Sequence, residues 1–240
     1  MIRKLCKCGC GGLVNEGREY IRGHSSKKYS LNENYFKKID SQEKAYFLGF
    51  MFADGNISKK QNQCRITLQR KDKYMLEKFQ KLLETNEPLS WVKQNKAWKL
   101  SFTSPKIKQD LINHGCMPCK TFKIEFPLWL RENLKPHFIR GFVDGDGSIS
   151  IQFVNNHKQK QLRVKISGRE NFLKNILSLS NIRGHIYKYD YHVIYHLHFL
   201  SSFAITFCNW LYKDASIFLE RKRNKYLEYL SWRKEYEKSL

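Results

Sequence analysis

Two aspartates, Asp54 and Asp146, each close a short apolar segment of nearly the same spelling. Phe47-Leu48-Gly49-Phe50-Met51-Phe52-Ala53-Asp54-Gly55 is echoed by Phe138-Ile139-Arg140-Gly141-Phe142-Val143-Asp144-Gly145-Asp146-Gly147, at an offset of 92 positions between the two acids. One Asp-Gly is a common turn dipeptide, but two in register imply two similar halves and two carboxylates used as a pair. Carboxylates held close repel, and one stays protonated unless a cation intervenes. A hard divalent ion such as magnesium, which takes oxygen ligands and keeps several waters, resolves that conflict.

The elements that carry the acids follow from spacing. Gly49 and Ala53 are four apart, as are Gly141 and Gly145, so each segment reads as a helix with a smooth stripe along which another backbone can pack closely. Two such helices packed in parallel bring Asp54 and Asp146 together. Each helix is expected to end at its Asp-Gly with the glycine left-handed. Asp40 is expected to cap the first helix, with Glu43 completing a capping box. Beyond each motif the pattern alternates with period two and then turns helical. Each half reads α-β-β-α-β-β-α, an α+β fold with an antiparallel sheet. Ile66 and Leu68 turn toward the helices, so Arg65, Thr67 and Gln69 turn outward. The same parity puts Lys99, Ser101, Ser148, Ser150, Gln152, Arg163, Lys165, His196 and His198 outward, with Asn56 and Ser58 beside the first motif. A face of such donors and acceptors suits base edges in the major groove of DNA.

These motifs resemble the paired motifs of single-chain LAGLIDADG homing endonucleases of the bacterial and phage type. The resemblance extends from about residue 41 to 230. It takes in Gly115-Cys116-Met117-Pro118-Cys119-Lys120-Thr121 with Phe126-Pro127, similar to the join between halves. It also takes in Leu211-Tyr212-Lys213-Asp214-Ala215 with Leu219-Glu220-Arg221-Lys222, similar to their ending. Phe52 stands where many members carry a first aspartate, which the second motif keeps as Asp144. The resemblance implies magnesium-dependent hydrolysis of both strands of a long, asymmetric DNA target by a monomer. Asp54 and Asp146 would hold the metal with the carbonyls of Ala53 and Gly145. A basic residue near each scissile phosphate would be Lys120 in the first half. In the second it would be Lys222, with Arg221, Lys213 and Arg223 as rivals. An RNA maturase that binds intron RNA, or a catalytically silent DNA-binding protein, would share the fold.

Charge agrees with a nucleic-acid partner. Lys and Arg number 44 against 22 Asp and Glu, a net charge of +22. That excess calls for a polyanion, and no apolar run is long enough to span a bilayer. The polar, basic start shows no secretory signal, and 7 cysteines at irregular spacing suit reduced thiols in an intracellular protein. Residues 1–25 form a small Cys/His module in which Cys6, Cys8, Cys10 and His24 can supply four ligands to a structural zinc. The alternative there is a metal-free, redox-sensitive tail. A polar linker, 26–40, joins it to the halves, 41–134 and 135–240.

Overall fold

The structure is a computed structural model, and it describes residues 4–7, 12–21, 29–118, 123–154, 159–188 and 194–238. The first half runs α1 (Gln42–Ala53), β1 (Gly55–Ile57), β2 (Gln63–Gln69), α2 (Lys73–Leu82), β3 (Ser90–Val92), β4 (Ala97–Thr103) and α3 (Pro105–Asn113). The second repeats it as α4 (Lys135–Asp146), β5 (Gly147–Val154), β6 (Gln159–Gly168), α5 (Glu170–Ser180), β7 (His185–Lys188), β8 (Tyr195–Leu200) and α6 (Ser201–Tyr212), then adds α7 (Glu220–Lys238). Both sheets are four-stranded and antiparallel, with the same order, β1-β2-β4-β3 and β5-β6-β8-β7. The expected α+β architecture is therefore the observed one.

The motif helices form the axis. Every residue of α1 from Ala45 to Ala53 is buried, the pattern of a helix enclosed on all sides. Its glycines admit the partner's backbone: a Cβ on Gly49 would lie 2.0 Å from the Phe138 carbonyl oxygen, and one on Gly141 would lie 1.9 Å from that of Tyr46. Tyr46 meets Gly141 and Ala53 meets Gly145, so the helices run parallel and their acidic ends coincide. The buried side chains of both halves form one continuous core around this pair.

Two local expectations need correction. The cap of α1 is Ser41, whose hydroxyl accepts from the Lys44 N–H at 3.3 Å, while Asp40 pairs with the Lys44 ammonium one turn on at 2.8 Å. Nor are the glycines after the acids left-handed: the positive-φ glycines among the described residues are Gly17 and Gly115, and Gly147 has φ −100°. Glycine is required there by crowding, because the chain passes straight from helix into strand. A Cβ would sit 2.5 Å from the Met51 carbonyl oxygen at Gly55 and 2.6 Å from that of Val143 at Gly147.

The two halves are chemically unequal at one symmetric position. Tyr46 donates its hydroxyl to Asp144 Oδ2 at 2.9 Å. Shifting each by the repeat offset gives Phe138 and Phe52, whose rings meet edge-to-face at 5.1 Å. The carboxyl is thus absent from the first motif, and the hydroxyl that would partner it is absent from the second. A lone aspartate at position 52 would be buried against a phenylalanine with no donor, which is costly.

Candidate metal centre and nucleic-acid interface

Asp54 and Asp146 are both exposed, at the coincident ends of two otherwise buried helices. Asp54 Oδ2 is 3.4 Å from the point where a Cβ of Gly145 would stand, and the Ala53 methyl is 2.3 Å from it. The small residues thus bring the two helix ends that carry the carboxylates into contact. A cleft of about 200 Å³ opens against Ala53 and Asp146, walled by Phe52, Phe142, Ser167 and Gly168. No cluster of three or more His, Cys, Asp or Glu side chains able to hold a metal occurs among the described residues. Two carboxylates fit a magnesium ion that completes its shell with water and substrate phosphate.

A strap from the C-terminal segment fastens the centre. Leu219 N–H donates to Asp144 Oδ2 at 2.8 Å, Glu220 N–H to the Tyr74 hydroxyl at 2.7 Å, and Arg221 Nε to the buried Asp72 carboxylate at 2.9 Å. The fully buried Arg140 donates to the carbonyls of Ile217 and Leu211 at 2.8 and 3.0 Å. Lys222 is buried, and its ammonium donates to the carbonyls of Val143, Asp144 and Gly147 at 2.7, 2.7 and 2.6 Å. Burial pushes its pKa down to about 8, against the pull of Asp144 and Asp54.

That placement gives Lys222 a structural role beside the phosphate contact that the resemblance implies. All three N–H bonds are spent on carbonyls at the negative end of α4, so the side chain caps the helix that presents Asp146. Lys222→Met will orphan these carbonyls and lower stability by roughly 3 kcal/mol, since each buried unmet polar group costs about 1–3 kcal/mol. Urea unfolding reads this; an unchanged midpoint together with lost cleavage would return Lys222 to the chemistry. Arg221 is held by Asp72. Lys120, the first-half candidate, lies outside the described residues, as do Cys8, Cys10 and His24. Cys6 is buried, its sulfur accepting from the Ile21 N–H at 3.3 Å.

The outward sheet faces carry the side chains that parity assigned. Asn56, Arg65 and Ser101 form one cross-strand row, and Thr67 pairs with Lys99 in the next. In the second sheet Ser148, Lys165 and His198 form a row, Ser150 faces Arg163, and His196 faces Ser167. Gln152, with its amide oriented to suit its neighbours, accepts from both terminal nitrogens of Arg163 at 3.1 and 3.0 Å. Three of the residues expected to meet DNA are engaged within the protein. Ser58 lies past β1, its hydroxyl accepting from the Gln61 N–H within the turn at 3.1 Å. Gln69 spends an amide N–H on Asp72 at 2.9 Å. His198 is only 8% exposed and bonds the Tyr187 hydroxyl at 2.9 Å. Tyr187, Tyr46 and Arg140 were not singled out in the sequence, because nothing in their spacing marks a cross-strand or interhelix partner.

Burial pushes the pKa of His198 down to about 4, helped by Arg163 and Lys165, and that of His137 down to about 4, helped by Arg140. Between pH 4 and 6.5 the unfolded chain binds both protons and the native chain neither, so stability falls on acidification through that window. Burial raises Asp144 from 3.8 to about 6, which binds one proton to the native state only and opposes this over most of the window. Two protons outweigh one. Urea midpoints are therefore expected to drop from pH 6.5 to 4, and His198→Gln should nearly flatten the dependence; an equally steep variant would refute the assignment.

Comparison with known proteins agrees with the geometry. Residues 41–115 match the LAGLIDADG-like domain. The chain is 27% identical over 263 residues to the "Uncharacterized cox1 intron-2 37.2 kDa protein" of Schizosaccharomyces pombe, covering 98% of this chain and 79% of that one. The LAGLIDADG homing endonuclease I-GzeII, solved in complex with its DNA target, superposes with a TM-score of 0.59 at 15% identity, over 88% of this chain and 92% of that one. I-SmaMI, solved bound to uncleaved DNA with calcium ions, gives 0.51 at 15% identity, over 82% and 90%. The chain thus contains a LAGLIDADG-like domain and shares the fold of these endonucleases. No helix among its described residues is long and apolar enough to cross a membrane.

Proposed function

We propose that this protein is a site-specific homing endonuclease that hydrolyses both strands of a long, asymmetric duplex DNA target, acting as a monomer inside the cell. One observation carries the reading: two exposed carboxylates stand on the touching ends of two parallel buried helices, between two sheets whose outer faces are polar and basic. Residues 41–134 and 135–240 would each engage one half of the target. The net charge of +22 supplies the sequence-independent attraction to phosphates.

Asp54 and Asp146, with the carbonyls of Ala53 and Gly145, would hold magnesium. When bound, the ion lowers the pKa of coordinated water and offsets charge on the attacked phosphate. The chain's own residues do the rest. Gly49 and Gly141 bring the helices close enough for the acids to meet. Lys222 and the strap fix the end of α4. The sheet rows orient the duplex so that each acid faces one strand, and Lys120 would lie near the first-half phosphate. Cys6, Cys8, Cys10 and His24 would hold a structural zinc in the N-terminal module, expected as one ion per chain by native mass spectrometry.

The test is cutting. The protein is incubated in magnesium with DNA from its own locus lacking any intervening element, and the ends are sequenced. Defined ends that vanish with a chelator establish the nuclease. A second reading, an intron maturase, draws on the intron-encoded relative in Schizosaccharomyces pombe. Tight, preferential binding of intron RNA without cutting would favour it.

A further inference from the structure

The two halves are built to reach unequal distances along their partner. In the first sheet, β4 pairs with β2 along its whole length, from Gln63 to Gln69, and β1 is only 3 residues long. In the second, β8 pairs with β6 only from Arg163 to Gly168. Gln159 to Leu162 pair with β5 alone, opposite Ile151 to Val154. The second half therefore ends in a two-stranded arm of four residue pairs. An arm of that length extends about 13 Å, or about four base-pair steps.

A two-stranded ribbon is marginal by itself in water, and this one is backed by α7. Among the described residues the helix has no counterpart after α3. Its buried face begins with Lys222, Tyr226 and Tyr229 and continues as an aromatic ladder. The ring of Tyr229 lies 5.6 Å from that of Trp232, which stacks on Tyr236 at 5.2 Å. The Lys160 ammonium sits 5.4 Å over the Trp232 ring, and Lys160 shares the inward face of β6 with the buried Leu162 and Val164. The ladder therefore holds the arm from behind, leaving Gln152, Gln161 and Arg163 on the outer face.

We infer that Trp232 and Tyr236 are positioning residues for DNA specificity: through them α7 braces the second-half arm, so that the target is read farther out on that side than on the other. The inference rests on the DNA-reading function proposed above. A rigid reader discriminates because a wrong base leaves fixed polar groups unmatched; a slack one adjusts and tolerates it.

The experiment uses the full chain carrying Trp232→Ala with Tyr236→Ala, and Trp232→Leu alone in case the double variant folds poorly. Duplexes randomised one base pair at a time across the site are selected for binding. The expected result is a drop of roughly ten-fold in discrimination, the scale of one good base contact, confined to the outer base pairs of one half-site. A profile unchanged, or weakened equally across both halves, overturns the inference. Amide exchange in the free protein separates this outcome from failure of the nuclease reading. Faster exchange across Gln152 and Gln161 in the variant supports the brace even if the wild type selects no duplex, whereas equal protection overturns it.

Discussion

Gly141→Ala will abolish DNA cleavage and cost roughly 3 kcal/mol of stability or more, at the upper end of what forced overpacking causes. The added methyl would stand 1.9 Å from the Tyr46 carbonyl oxygen, 2.8 Å from its carbon and 3.0 Å from the Phe50 nitrogen. All three are backbone atoms of a buried helix, so no rotamer change relieves the contact. The helices must separate by more than an ångström, and the close-packed core cannot follow. Separation also parts Asp54 from Asp146, so activity falls beyond what the stability loss explains. Gly168→Ala is the comparison for an added methyl without backbone overlap, since it would meet Leu173 at an ordinary 3.5 Å. Thermal unfolding and plasmid cutting read the pair. A Gly141→Ala protein that melts within 1 kcal/mol of wild type and still cuts would refute the close helix contact.

The same contact explains why so much was legible in the sequence. Gly49 and Gly141 mark an interface because nothing larger fits, and their common offset places the halves in register. Strands were readable where apolar and polar residues alternate, as at Arg65 to Gln69. α3, from Pro105 to Asn113, is readable because Ser104 caps it and proline opens it. Legibility failed where a partner is distant. α7 alternates charge and aromatic residues with no clean apolar face, so only the arm it meets reveals which side is buried. Lys222 enters by resemblance alone, with Arg221, Lys213 and Arg223 as rivals, and nothing in that basic stretch shows that it is buried. Its three carbonyl partners lie far away along the chain, on α4 and at the start of β5.

Asp54→Asn and Asp146→Asn separate chemistry from binding more sharply than any other change. Each substitution keeps the shape of the side chain and removes one negative charge from a surface that is to meet phosphates. Electrostatics alone then predicts affinity for DNA that is equal or higher, with a weaker repulsive contribution at low salt. Cutting moves the other way. A neutral amide is a poor partner for a hard divalent ion, and loss of several kcal/mol of transition-state stabilisation corresponds to a fall of roughly 10³-fold or more. Because the two acids stand at equivalent helix ends, the variants should nick opposite strands in any residual reaction, which end-labelling of each strand resolves. Gel-shift titration alongside supercoiled-plasmid cleavage provides the comparison. If binding collapsed together with cutting, the acids would be holding the helix ends in place; if cutting persisted near the wild-type rate, the metal centre would lie elsewhere. Tight binding with no cutting in both variants leaves Asp54 and Asp146 as the groups that convert a basic, double-sheeted DNA reader into a nuclease.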